Sequence, residues 1–234
     1  MAMYELDTTA ARETEDSGKF LKSPGKYKGK IVGAELIKAN TGTDGIEITF
    51  EEDSTGRRAN YLRLYTQKSS GEKIYGYKVL CAIMTCLRLR SLDPADGTVE
   101  RFNKDTKKTE KEQGIVFPAL IGKRIGFLLQ GEEYRDASHA IKTKLAIMAP
   151  FEADTELTAS EILDKKITPQ SLAKLAQQLA DNPVRKLVNN DNDDYKDYNK
   201  AHAKAYAQAS RGEGYQGNHT PQSTSNFIDD EIPF

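Results

Sequence analysis

The residues of this chain best suited to chemistry lie in one short stretch, NYLRLYT, residues 60–66. On a β-strand, successive side chains point to opposite faces. Leu62 and Leu64 then face a core, and Tyr61, Arg63 and Tyr65 stand in a row on the other side. Single-stranded nucleic acid needs flat aromatic faces for its bases and cations for its phosphates, without a base-specific pocket. A Tyr-Arg-Tyr row supplies both. Tyrosine is also simply a good strand former, so the row draws weight from the cations around it. Arg57 and Arg58 precede it in a turn, and Lys68 follows. Lys123 and Arg124 open a later strand, and Arg135 lies in the turn after that strand. Lys142 and Lys144 alternate with Ile141, Thr143 and Leu145 on the last strand of the body. Each cation alone is what any solvated surface carries; together they share one sign.

An enzyme should show a constellation of catalytic residues, and the sequence offers little of one. His139, His202 and His219 share no metal-ligand spacing. Cys81 and Cys86 lie in an apolar run without the partners of a zinc site, and read as buried thiols of a reducing cytoplasm. The Gly-Lys of GIVFPALIGKR is not followed by Ser or Thr and lacks P-loop spacing. The acids Glu51, Glu52, Asp53, Glu132 and Glu133 fall in turn-like stretches, where solvated charge is the ordinary reading. Only a nuclease with scattered metal-binding carboxylates would leave no pattern. The expectation is no catalytic residue, no metal and no cofactor.

Charge is unevenly spread. The 234 residues carry a formal net charge of −1, but residues 19–150 hold 24 Lys+Arg against 16 Asp+Glu, and the flanks hold 10 against 19. A basic body with acidic ends suits a polyanion-binding domain with tails that oppose it. No run of apolar residues reaches membrane-spanning length. The start, MAMYELDTTAARETEDSG, has neither the basic nor the apolar region of a signal peptide. A cytoplasmic protein with no membrane partner is expected.

The elements that must position these residues follow from periodicity. Residues 1–18 are acidic and polar, and read as a flexible N-terminus. KIVGAELIKA, GIEITFEE and NYLRLYT are strand-like and separated by the turn clusters NTGTDG and DSTGRR, which predicts an antiparallel meander. In the second of them Ile46, Ile48 and Phe50 share one face. The period then changes: Ile74, Tyr77, Val79, Leu80, Ile83, Met84 and Leu87 predict a helix over 72–89, with a serine near its N-cap and Gly76 weakening it. Residues 91–118 form a polar, lysine-rich excursion, a loop or a protruding hairpin. Two more strands follow around the turn that holds Arg135. The order β-β-β-α-β-β predicts an α+β, mainly β domain over 19–151: a five-stranded OB-fold, a small Greek-key barrel whose outer face on strands two and three binds oligonucleotides. Residues 152–209 read as a helical extension, and 210–234 as a Gly/Ser/Thr/Asn/Gln-rich flexible linker with an acidic, apolar tip.

That tip is DDEIPF: Asp229, Asp230, Glu231, Ile232, Pro233 and Phe234. It resembles the acidic C-terminal tip of bacterial single-stranded DNA-binding proteins, which end in Asp-Asp-Asp/Glu-Ile-Pro-Phe after a flexible linker. The longer body with an added helical region is more similar to the single-stranded DNA-binding proteins of tailed phages. The resemblance implies an OB-fold body that coats single-stranded DNA in replication, recombination or repair. It also implies a tip that recruits host or phage proteins of those processes. Physically, a Phe ring and a terminal carboxylate can enter one basic-rimmed apolar pocket, while the acids steer the approach. Two alternatives stand beside this reading: a recombination mediator or annealing protein, and an OB-fold adaptor that binds protein instead of DNA.

Overall fold

The computed structural model describes residues 6, 8, 18–103, 106, 108–136 and 138–187. The linker, the tip 229–234 and residues 188–209 of the helical extension lie outside the described residues, as does most of the acidic N-terminus.

The chain is mainly β with a few helices. In order come β1 (Gly25–Lys38), β2 (Asp44–Glu52), β3 (Arg58–Gln67), α1 (Tyr75–Cys86), β4 (Ala95–Asn103), β5 (Lys108–Val116), β6 (Arg124–Arg135), β7 (Ile141–Phe151), α2 (Ala159–Leu163), α3 (Ser171–Asp181) and β8 (Val184–Arg185). The three-strand meander, the helix and the two later strands stand in the predicted order. The excursion folds back on itself as the hairpin β4–β5, paired from Ala95↔Val116 to Asn103↔Lys108.

The expectation of a closed five-stranded barrel needs correction. The described strands form one open sheet of 8 strands. The order β3-β2-β1-β5-β4 makes one path, and β6 pairs β1, β7 and β8 off it. Every pairing but the parallel β6–β8 is antiparallel. No β3–β7 ladder closes the sheet among the described residues. The N-terminal end of β3 is instead met by residues 19–21: Leu21 donates to the Arg58 carbonyl and Arg58 to that of Lys19.

β1 explains the branching. Its first half, Gly25–Lys30, pairs with β6. A register shift between Ile31 and Gly33 then bends it. Beyond the bend it meets the β4–β5 hairpin at one ladder pair, Glu35↔Val116. The hairpin therefore stands beside the sheet as a wall.

The core follows the alternation. Ile46, Ile48, Phe50, Leu62 and Leu64 are buried, with Phe127 edge-on to Phe50 at 5.1 Å between ring centroids. α1 is shorter than predicted because residues 67–73 make a tight turn with Gly71 at φ 86°, using up the expected first helical turn. α1 ends with Arg88 in the left-handed region and Leu89 donating to the Met84 carbonyl, a Schellman closure. After Phe151, Leu157, Ala159 and Ile162 join the main core, and Leu172, Leu175 and Leu179 of α3 pack on Leu128, Met148 and Phe151. Among the described residues, no helix is long and apolar enough to cross a membrane.

Candidate nucleic-acid interface

A groove of about 1100 Å³ lies on the outer face of β1–β3. Its floor carries Glu35 of β1, Glu47 and Thr49 of β2, and Asn60 and Tyr61 of β3. One wall is the segment 18–21 with Phe20, and the other is the β4–β5 hairpin with Val99 and Lys111. Arg57 and Arg58 close one end, at the β2–β3 turn.

Tyr61 owes its position to a bulge. Ile48 pairs with Leu62 and Phe50 with Ala59, so Asn60 and Tyr61 together oppose Thr49. Tyr61 takes φ 60° there and presents its ring to solvent at 52% exposure. The Arg63 guanidinium lies 5.9 Å from the centre of that ring. Tyr65 is half-buried, because α1 begins against it: a side chain at Gly76 would put its Cβ 2.1 Å from the Tyr65 carbonyl oxygen. Phe20 adds a second exposed aromatic on the groove. Among the described residues, the Oδ1 atom of Asn60 is buried without a hydrogen-bond partner.

The cations are more constrained than their sequence positions imply. Arg63 donates to Glu47 at 2.6 Å, and Arg58 to Glu51 at 2.9 Å. Arg58 and Lys30 together hold the Glu51 carboxyl below its ordinary pKa by hydrogen bonding. Lys68 pairs with Glu72 at 2.7 Å. Arg124 bridges Asp53 at 2.9 Å and also Asp154. Lys142 pairs with Asp136 at 2.7 Å, and Lys144 with Glu132 at 3.4 Å. The hydrogen bonds from Lys142 and Ser138 keep Asp136 well below the ordinary carboxylate range. Arg57 makes no ion pair among the described residues.

Of the residues singled out in the sequence, Tyr61, Arg57 and Arg58 line the groove. Arg63 stands beside Tyr61 at its edge. Lys68 sits in the β3–α1 turn, and Lys123 and Arg124 at the start of β6. Arg135 lies at the end of β6 and Lys142 and Lys144 on β7, none of them in the groove lining.

No family model matches the chain, and no curated protein does. The site is therefore read from its residues.

Several groove residues escape a reading of sequence alone. Phe20 sits in a stretch without strand periodicity. Lys111 belongs to the lysine-rich excursion, whose interleaved charges read as a solvated loop; the equal lengths of TVERFN and KTEKEQ were the available sign of a hairpin. Glu47 alternates with buried isoleucines and reads as an outward, solvated acid, yet it is 9% exposed. It stands between Glu35 of β1 and Arg63 of β3, its cross-strand partners, and Arg63 bonds to it at 2.6 Å.

Proposed function

We propose that this chain is a sequence-tolerant single-stranded DNA-binding protein that coats DNA in replication, recombination or repair in a phage or bacterial cytoplasm. It holds the strand in the groove on β1–β3 and recruits partner proteins through the tip 229–234. One observation carries the reading: an open groove in which the exposed aromatics Tyr61 and Phe20 stand beside the arginines of the β2–β3 turn. Stacking faces next to phosphate-binding cations are what sequence-independent single-strand binding uses. The element order β1-β2-β3-α1-β6-β7, with β1 paired to both β2 and β6, supports an OB-type body carrying a hairpin insertion.

Titration with labelled oligo-dT at about 50 and about 300 mM salt tests this. Binding that is tighter than to blunt duplex and falls steeply with salt is the expected result. Equal affinity for duplex, or no salt dependence, rejects it.

A second reading, an adaptor that binds a peptide, is favoured by one feature. The groove's cations are matched by the carboxylates Glu35, Glu47, Glu51 and Glu100 in its lining. Absence of oligonucleotide binding in the same titration would favour it.

A further inference from the structure

Two acids of the groove floor, Glu35 and Glu47, are each held by an arginine outside its lining, Arg101 of β4 and Arg63 of β3. Glu35 and Glu47 are cross-strand partners on β1 and β2, and Glu47 and Arg63 are partners on β2 and β3. From the hairpin wall, Arg101 reaches Glu35 at 2.9 Å through one terminal nitrogen. The side chains of Glu35 and Glu47 are only 12% and 10% exposed, whereas those of Arg101 and Arg63 are 50% and 47% exposed. Two half-open guanidiniums thus hold two carboxylates, Glu47 buried and Glu35 partly so, on the face where Tyr61 stands.

Like charges directly opposite each other on adjacent strands destabilise a sheet. Here each carboxylate is clamped by its own arginine. The charged groups facing Glu35 are Glu47 from β2, Arg63 from β3 and Arg101 from β4; Glu112 of β5 holds the Arg101 Nε at 3.2 Å. Burial raises the pKa of Glu35, Arg101 opposes that rise, and Glu47 adds to it. Among these neighbours Arg101 is the strongest influence keeping Glu35 ionised, and it is itself half-exposed.

We propose that Arg101 and Glu35 form an exchangeable latch: a phosphate of the bound strand takes Arg101 from Glu35, and Glu35, left against Glu47, takes up one proton from solvent. Arg101 keeps its own protons and exchanges one anionic partner for another. The proton ends on a carboxyl oxygen of Glu35, so Glu35 is not left as an uncompensated charge beside Glu47, which keeps Arg63. The inference rests on the groove being the DNA site, and it makes Arg101 a phosphate contact and Glu35 a positioning residue that competes for it. By linkage, a bound state that holds more protons is favoured as pH falls, so affinity rises toward acid.

The test is titration of the full chain with oligo-dT at fixed ionic strength between about pH 5.5 and 7.5, with calorimetry in two buffers of different ionisation enthalpy. Wild type should bind about threefold tighter at the acid end, with net proton uptake in the calorimeter. Glu35→Gln should bind tighter than wild type at about pH 7.5 and lose most of the pH slope. Arg101→Gln should bind more weakly and lower the salt slope by about one unit. The buffer-dependent heat of wild type needs no variant, so the proposal stays testable if a variant fails to fold. Binding without proton uptake, or an unchanged slope in folded Glu35→Gln, overturns the latch and leaves the DNA reading intact. No oligonucleotide binding by wild type overturns both.

Discussion

Tyr61 holds a backbone conformation that L-residues avoid, at φ 60° on the bulge of β3. Such a conformation costs on the order of 1–2 kcal/mol outside glycine and is tolerated best by Asn and Asp. A large exposed ring kept at that position fits a binding role. Replacing Tyr61 by Asn should leave thermal stability unchanged or slightly higher, while weakening oligo-dT binding by about 1–3 kcal/mol. Parallel melting curves and titrations read the two effects, and a parallel loss of both would make Tyr61 a packing residue. Glu161 shows the opposite case, a titratable group spent on structure. It is fully buried, opens α2 through a capping box with Thr158, and accepts from the amides of Gln170 at 2.7 Å and Ser171 at 2.8 Å. Burial opposes its ionisation, but the hydrogen bonds from Thr158, Gln170 and Ser171 prevail and bring its pKa from 4.5 down to about 2. A carboxylate with a lowered folded pKa stabilises above its unfolded value and loses that contribution as pH falls through the folded one. Glu161→Gln should therefore destabilise by about 3 kcal/mol at neutral pH. Its deficit against wild type should shrink as pH drops from 4.5 toward 2. Chemical denaturation across that range measures the difference.

At the scale of elements, α1 and the β4–β5 hairpin do the positioning. α1 can seat against β3 because Gly76 leaves room for the Tyr65 carbonyl; in an exposed helix the same glycine would be only a weakness. Gly76→Ala forces a contact that something must relieve. It should cost about 1–3 kcal/mol of stability, of the size seen for overpacking. The outward half of the Tyr-Arg-Tyr row should weaken with it, read as reduced oligo-dT affinity in the folded variant. The hairpin makes the groove. It touches β1 at one ladder pair and is tied down by the Arg101–Glu35 bridge and, at 4.0 Å, by Glu100 against Arg58.

At the scale of the whole molecule, electrostatics act with opposite signs in different parts of the chain. Residues 19–150 carry a net excess of cations, and the flanks carry the acids. Most of the surface cations singled out for phosphate binding are already paired with carboxylates, so a DNA contact by any of these exchanges one anion for another. Salt dependence should accordingly be shallower than the count of cations implies. Deleting Asp229–Phe234 should leave the melting temperature of the body unchanged and abolish capture of proteins that read such tips, and Phe234→Ala should do the same. DNA affinity should hold or rise slightly at low salt, since an acidic competitor has gone. A pull-down and a titration with both forms decide these points: identical partners would end the recruitment proposal, and weaker DNA binding would end the competitor proposal.

What the sequence determined by itself was whatever depends on neighbours along the chain. The alternation of Ile46, Ile48 and Phe50, and of Leu62 and Leu64, specifies which face of β2 and β3 is buried, because side chains on a strand must alternate. The outward placing of Arg63 follows from the same rule, whereas that of Tyr61 is set by the bulge. What only the tertiary structure decided depends on residues far apart in sequence. Glu47 is covered because Glu35 of β1 and Arg63 of β3 flank it, and Glu35 is in turn held by Arg101 of β4. Phe20 belongs to the groove because its segment pairs with Arg58. The sheet stays open because β1 bends at a bulge and divides its edge between β6 and a hairpin. Local periodicity carries no information about such encounters: it states which way a side chain faces, and only the fold states what stands opposite it.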